Sequence, residues 1–371
     1  MNILILGGTG AMGAPLSRLA TTLGNNVYVT SRSAHNSEDK LHYLQGNAKD
    51  VVFLEDCLSR MYYDAIVDFM SYSTEEFDKR ITLLLQSTKQ YIFISSARIF
   101  AESKNPLTEN SPRLLETVQD LEYLRTDEYA LAKARQEDII YKSGYSNYTI
   151  IRPSLTYNSH RLQLGALEKE NWLYRALKGR SIVFSKDLAN KYTAMTHGDD
   201  VAKAIYAIIG RKECLQQAYN IAIGDSLTWQ DILNIYLNAI KKYTSTCPKV
   251  VTSDETIKLK DKQFKYQVIY ARRLNRRFDN TKITKIYRER FISPQEGLTI
   301  ALQDFLKRPK FNNINWKYEA WSDCISQEHT PLSEIPTFKN KLMYLCYRHR
   351  VGWIFEFSRN IWNILKNKIN I

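Results

Sequence analysis

The first strong signal along the chain is an apolar run from Asn2 to Leu6 that stops at glycines and gives way to helical spacing at Leu16, Leu19, Ala20 and Leu23. Strand, tight turn and helix are predicted in that order. Further apolar runs follow at Val27 to Thr30, Asp64 to Phe69 and Gln90 to Ser95, with helical segments between them, and another from Tyr148 to Arg152 ends on Pro153. Strands that are apolar throughout and alternate with helices can leave neither face in water. The pattern therefore predicts an α/β fold, a doubly wound parallel sheet covered on both sides. Beyond Pro153 aromatic and basic residues become denser and the periodicity weakens, so a smaller C-terminal lobe is placed there. The predicted organisation is a sheet domain over 1–153 with strands returning after 190, a second lobe mainly over 154–310, and a basic, aromatic extension over 311–371.

Composition narrows the picture. With 371 residues, 44% of them hydrophobic, the chain can bury a large core. The formal charge of +13 concentrates after about residue 240. Five cysteines stand far apart, without a C-x-x-C pair or a Cys/His cluster, which fits a reducing compartment and no metal. The N-terminus lacks a basic leader and a cleavage site, and no stretch approaches eighteen consecutive apolar residues, so a cytoplasmic protein is expected.

Gly7-Gly8-Thr9-Gly10-Ala11-Met12-Gly13 puts glycines in G-x-x-G-x-x-G spacing between the first strand and the first helix. Backbone amides can approach a pyrophosphate only where no Cβ intervenes, and a helix N-terminus adds partial positive charge. In this context the motif points to a bound dinucleotide and a Rossmann domain, with Gly7, Thr9, Gly10, Ala11, Met12 and Gly13 around it. At the end of the second strand, where a carboxylate would accept from the ribose hydroxyls of NAD(H), the chain has Thr30-Ser31-Arg32. Ser31 and Arg32 suit a 2′-phosphate, which favours NADP(H) and leaves NAD(H) as the alternative. The bland reading of Arg32 is a solvated loop residue.

Tyr129 and Lys133 form Tyr-x-x-x-Lys in a strongly helical stretch, so both side chains share one face. A neighbouring ammonium stabilises phenolate, which would let tyrosine act as acid and base near neutral pH. Ser95 and Ser96, at the end of the preceding strand, offer a hydroxyl to a substrate oxygen.

Taken with SSARIF at Ser95 to Phe100, YALAK at Tyr129 to Lys133, RPSLTY at Arg152 to Tyr157, THGDDVA at Thr196 to Ala202 and AYNIAIG at Ala218 to Gly224, the chain resembles the extended short-chain dehydrogenase/reductase family over residues 1 to about 307. That family includes nucleotide-sugar epimerases, dehydratases and 4-keto reductases. The resemblance implies a catalytic Ser96, Tyr129 and Lys133, with Asn47 and Ala48 near the adenine, Phe69 and Met70 along the cofactor groove, and Pro153 beside the nicotinamide. It gives His197 a structural role and implies a homodimer. In the second, substrate-binding lobe, Arg161, Arg272 and Arg273 are candidates for a nucleotide's phosphates, and Trp172 and Tyr174 for a slot around its base; Ser96 and Arg98 are further substrate-binding candidates from the sheet domain.

Dehydratases of the family carry Asp-Glu after the catalytic hydroxyl residue, where this chain has Ala97-Arg98, so dehydration is disfavoured. The leading expectation is NADPH-dependent reduction of a nucleotide-linked keto-sugar, such as a 4-keto-6-deoxyhexose, for surface polysaccharide synthesis. The alternatives are an epimerase with retained NAD and a catalytically idle NADP- or RNA-binding relative, although no nucleic-acid partner is expected. The segment Lys339 to Ile371 has two readings: an amphipathic helix attaching weakly to a membrane surface, or a helix packed on the substrate lobe or a partner subunit.

Overall fold

The computed structural model describes residues 1–261 and 264–352. Seven parallel strands form one sheet, in the order Gln217–Ile221, Tyr148–Pro153, Tyr91–Ile94, Ala65–Asp68, Asn2–Leu6, Asn26–Ser31, Leu41–Gln45. In chain order these are β1 (Asn2–Leu6), β2 (Asn26–Ser31), β3 (Leu41–Gln45), β4 (Ala65–Asp68), β5 (Tyr91–Ile94), β6 (Tyr148–Pro153) and β7 (Gln217–Ile221). The direction of winding reverses between β1 and β4, where Ile3 pairs with Ala65 and Leu6 with Asp68. Doubly wound sheets bind ligands at the carboxyl ends of the strands beside such a switch.

Side-chain alternation along β1 supplies both faces of the sheet. Ile3 and Ile5 join Leu16 and Ala20 of helix α1 (Gly13–Thr22), together with Val201 and Ile205. Leu4 and Leu6 face the other way, onto Leu54, Phe77, Ile81 and Ile140. Phe77 and Ile81 belong to helix α2 (Thr74–Gln86), which starts on a capping box between Ser73 and Glu76. Ile140 belongs to helix α3 (Tyr129–Lys142). The doubly wound parallel sheet expected from the apolar runs is the fold found, with β3 and β7 added to the runs that predicted it.

A second core gathers Tyr157, Trp172, Ile182, Trp229, Tyr236, Leu298 and Phe305, and a third joins Tyr174 to Trp316, Ala320, Tyr344 and Tyr347. The third core seats the helix Trp316–Ser326 and the helix Phe338–Arg348 against the second lobe. Arg175, 1% exposed, ties the same region down: its guanidinium donates to Glu319 at 2.9 Å, Asp323 at 2.8 Å and Glu328 at 3.0 Å. The described start of the basic C-terminal segment is thus a packed helix, as one of its two readings held. The remainder of that segment, from residue 353, lies outside the described residues. Among the described residues no helix is long and apolar enough to cross a membrane.

Candidate active site

The glycine turn is shaped by contacts that leave no room for side chains. Gly7 has φ +68°, and a Cβ there would stand 2.8 Å from Met70 Sδ. A Cβ on Gly13 would meet the Gly8 backbone at 2.6 Å, so α1 lies directly on the turn. Gly10, in contrast, faces open space. The first turn of α1 holds no acidic residue, and Met12 at its N-cap makes no side-chain cap. The Ala14 and Leu16 amides are taken by Gly10 O and Met12 O, so it is the close approach that the glycines permit, together with the positive end of α1, that fits the pyrophosphate of a dinucleotide. The turn is pinned from across the cleft, where Asn158 Nδ2 donates to Ala11 O at 3.3 Å and Thr156 Oγ1 reaches Met12 Sδ at 3.6 Å.

At the far end of this groove, Ser31 pairs with Gln45 of β3, so Asn47 and Ala48 come just beyond the same edge. Asn47 is exposed and its Oδ1 accepts the Lys49 N–H at 3.1 Å, while Ala48 is buried. The Thr30 hydroxyl is committed to the turn, accepting the Gly7 N–H at 2.9 Å, and Ser31 Oγ accepts the Ser33 N–H at 3.2 Å. Arg32 is exposed. The Ser31 hydroxyl expected at a 2′-phosphate thus also serves its own loop as an acceptor.

A cavity of about 310 Å³ opens between the sheet and the second lobe, lined by Met12, Phe69, Ser96, Tyr129, Lys133 and Pro153 on the sheet side. Ser96 follows β5 and N-caps a short turn, its Oγ accepting the Arg98 N–H at 3.2 Å. Ser95 also lines the cavity, but its hydroxyl donates to Glu137 at 2.5 Å, and Glu137 is held in turn by a buried ion pair with Arg152 at 2.7 Å. Tyr129 is the first residue of α3 and is 38% exposed. Lys133, one turn on and 2% exposed, donates to Met70 O at 3.3 Å and lies over the Phe93 ring at 4.4 Å.

Burial pushes the Lys133 ammonium down to about 8, opposed by the negative charges of Asp68 and Glu137. Asp68 ends β4 fully buried, accepting from the Met70 N–H at 2.9 Å and the Tyr91 hydroxyl at 2.9 Å. An activity that needs the ammonium persists below that value and fades as pH rises through it. In D68N one of the charges retaining the proton is gone, so the alkaline limb of the kcat profile is expected to move to lower pH. A limb at the wild-type position would show that Asp68 does not act on Lys133.

On the lobe side the cavity is lined by Arg161, Arg272 and Arg276, with Trp229 and Gln267, while Arg98 stands two residues after Ser96 on the sheet side. Three expectations are corrected here. Trp172 is fully buried, stacked on Tyr236 at 4.5 Å with its indole N–H donating to Leu162 O, and belongs to the lobe's core. Tyr174 donates its hydroxyl to Glu334 at 2.8 Å in the third core. Arg273 turns from the cavity to pair with Asp187 at 2.7 Å. Arg276 and Trp229 were missed by sequence reasoning: Arg272, Arg273, Arg276 and Arg277 are alike in residue type, and their spacing does not say which of them face the cavity. His197 caps the following helix, its Nδ1 accepting the Asp199 N–H at 3.2 Å.

Fold and site together define an enzyme built around a dinucleotide cofactor. The chain belongs to the NAD dependent epimerase/dehydratase family, whose model matches residues 3–222. Among solved structures it is similar to the Bordetella bronchiseptica enzyme WbmH in complex with NAD+, with TM-score 0.64 and 13% identity over 83% of this chain and 99% of that one. It is also similar to the dTDP-glucose 4,6-dehydratase of Bacillus anthracis with NAD (TM-score 0.63, 16% identity, 83% and 97% covered). A third is the UDP-glucose 4-epimerase of Thermus thermophilus with NAD (TM-score 0.62, 17% identity, 83% and 100% covered). A curated relative, chloroplast stem-loop binding protein of 41 kDa b of Arabidopsis thaliana, is 25% identical over 235 residues, 59% of this chain. The chain spans 58% of that relative's length.

These comparisons overturn the expected preference for NADP(H). The three solved structures above were captured with NAD.

Proposed function

We propose that this protein is an NAD-dependent epimerase that inverts a hydroxyl-bearing carbon of a nucleotide-linked sugar. The observation that carries the reading is the cavity itself: Ser96, Tyr129 and Lys133 line one side and arginines the other, with the glycine turn of α1 opening into it through Met12. NAD held on Gly10, Ala11 and Met12 would supply a reversible two-electron acceptor for the sugar carbon. Tyr129 takes the hydroxyl proton as that carbon is oxidised and returns it as the carbonyl is reduced from the opposite face. Ser96 holds the reacting oxygen, and the Lys133 ammonium stands one helical turn from Tyr129 on the same cavity wall. The arginines across the cavity suit the diphosphate.

The reductase expectation leaned on an NADPH supply, and with that preference corrected a cofactor that receives and returns the same hydride is the better account. Its test is product analysis: the protein with NAD and a panel of nucleotide-linked hexoses should convert one of them to an isomer of equal mass, while absorbance at the NADH band stays flat. Net cofactor turnover with a product two mass units away would replace epimerisation by reduction or oxidation.

A further inference from the structure

The four carboxylates between residues 311 and 352 are all committed to two arginines of the second lobe. Glu319, Asp323 and Glu328 pair with Arg175, and Glu334 pairs with Arg180. The helix Phe338–Arg348 carries Lys339 and Lys341 but neither Asp nor Glu, and Arg350 follows it exposed. This end of the lobe therefore keeps its negative charge on internal ion pairs and presents positive charge to its surroundings.

Apolar surface accompanies that charge. Tyr344 and Tyr347 seat the helix on the third core, which accounts for its inner face. Phe338 and Leu342 are one turn apart and so share a face, and they are left outside at 81% and 45% exposure. Leu332 before the helix and Val351 after it are exposed as well. Scattered apolar residues on a surface are ordinary, but among the described residues Phe338 is the sole phenylalanine counted with the exposed large hydrophobics, and it adjoins Lys339. A patch of this kind rimmed by charge marks an interaction surface. The same composition runs on in the sequence: from Phe338 to Ile371 there are seven Lys and Arg and one acidic residue, Glu356. Over the same stretch Trp353, Phe357, Ile361 and Ile364 recur at the spacing of one helix face.

We propose that this C-terminal region docks the protein on an anionic membrane surface. Phe338 and Leu342 enter the headgroup layer, and Lys339, Lys341 and Arg350 face the anionic headgroups. A second copy fits the same face poorly: a two-fold contact would set its lysines against each other, and the nearby carboxylates are spent on Arg175 and Arg180. The catalytic cavity is lined by no residue beyond Phe278, so docking is separate from the chemistry and does not rest on the epimerase reading.

Flotation of the full-length protein with vesicles tests this, using phosphatidylcholine alone and an equimolar mixture of phosphatidylcholine and phosphatidylglycerol. The wild type should float with the anionic vesicles at low salt, stay behind with the neutral ones, and be released as salt screens the headgroups. K339Q/K341Q should lower the partition coefficient by about fivefold for each lysine. F338S/L342S should lower it by about tenfold or more, with an unfolding midpoint close to that of the wild type because both positions are exposed. The lysine pair also provides the reading if F338S/L342S unfolds. Failure of the wild type to float, or equal flotation with neutral and anionic vesicles, overturns the proposal. Wild-type partitioning by both variants overturns the assignment to this helix. A dimer that F338S/L342S dissociates, in a protein that binds no vesicles, gives the face to a second copy and overturns the proposal as well.

Discussion

Replacement of Tyr129 by Phe is expected to lower kcat by about 10²–10⁴-fold, the range for loss of a positioned acid-base group. The effect should appear in the rate and not in the fold. Tyr129 opens helix α3 at the cavity wall, and its side chain is 38% exposed, so losing the hydroxyl removes little packing. Surface changes of this kind alter stability by about ±0.5 kcal/mol or less. Its aromatic ring remains available to the Arg98 guanidinium in Y129F. Steady-state kinetics, thermal unfolding and NAD binding on the same preparation separate these contributions. Rates within a fewfold of wild type would remove Tyr129 from the chemistry.

The largest expected effect on stability is far from the cavity. R175M should destabilise the protein by about 3–5 kcal/mol, the usual consequence of removing one partner from a buried ion pair. Arg175 leaves the helix Lys169–Leu177 to meet Glu319, Asp323 and Glu328 of the C-terminal region, and also donates to Ser181 O at 2.9 Å. Glu319 is pushed up to about 7 by its burial even with Arg175 and Arg180 beside it. Without Arg175 the carboxylates face one another in a dry interior, and the helices Trp316–Ser326 and Phe338–Arg348 lose their anchor to the lobe. The exposed connection at Lys310 should then be cut by trypsin sooner than in the wild type. Denaturant titration and timed proteolysis check the two parts, and an unchanged midpoint would mean that the third core holds these helices by apolar contacts alone.

Much of the fold was legible because it depends on local pattern. β1, β4, β5 and β6 are short apolar runs buried on both faces, and the glycine turn must be glycine for steric reasons that sequence spacing exposes. β3 escaped notice because LHYLQ is an edge strand: Leu41 and Leu44 are buried while His42, Tyr43 and Gln45 are not, so it carries no continuous apolar run. In the second lobe, side-chain direction was the missing information. A tryptophan at 172 and an arginine at 273 have the right chemistry for a nucleotide site, but one points into the core and the other toward Asp187. Trp229 and Arg276 face the cavity with the same chemistry and no stronger signal in the sequence. The cofactor misreading has a similar cause. Ser31 and Arg32 suit a 2′-phosphate by residue type alone, and residue type carries no signal for where the exposed Arg32 guanidinium points.

The central claim, a redox-neutral inversion at the Ser96, Tyr129 and Lys133 cavity, is tested most directly by following one hydrogen. The nucleotide-linked substrate is prepared with deuterium on the carbon whose hydroxyl inverts and incubated with the enzyme and NAD in ordinary water, and the product is read by NMR and mass spectrometry. The account predicts an isomer that keeps its deuterium on the same carbon with no net change in cofactor. Washout of the label into solvent, or a product that gains or loses two hydrogens at the expense of the cofactor, would contradict it.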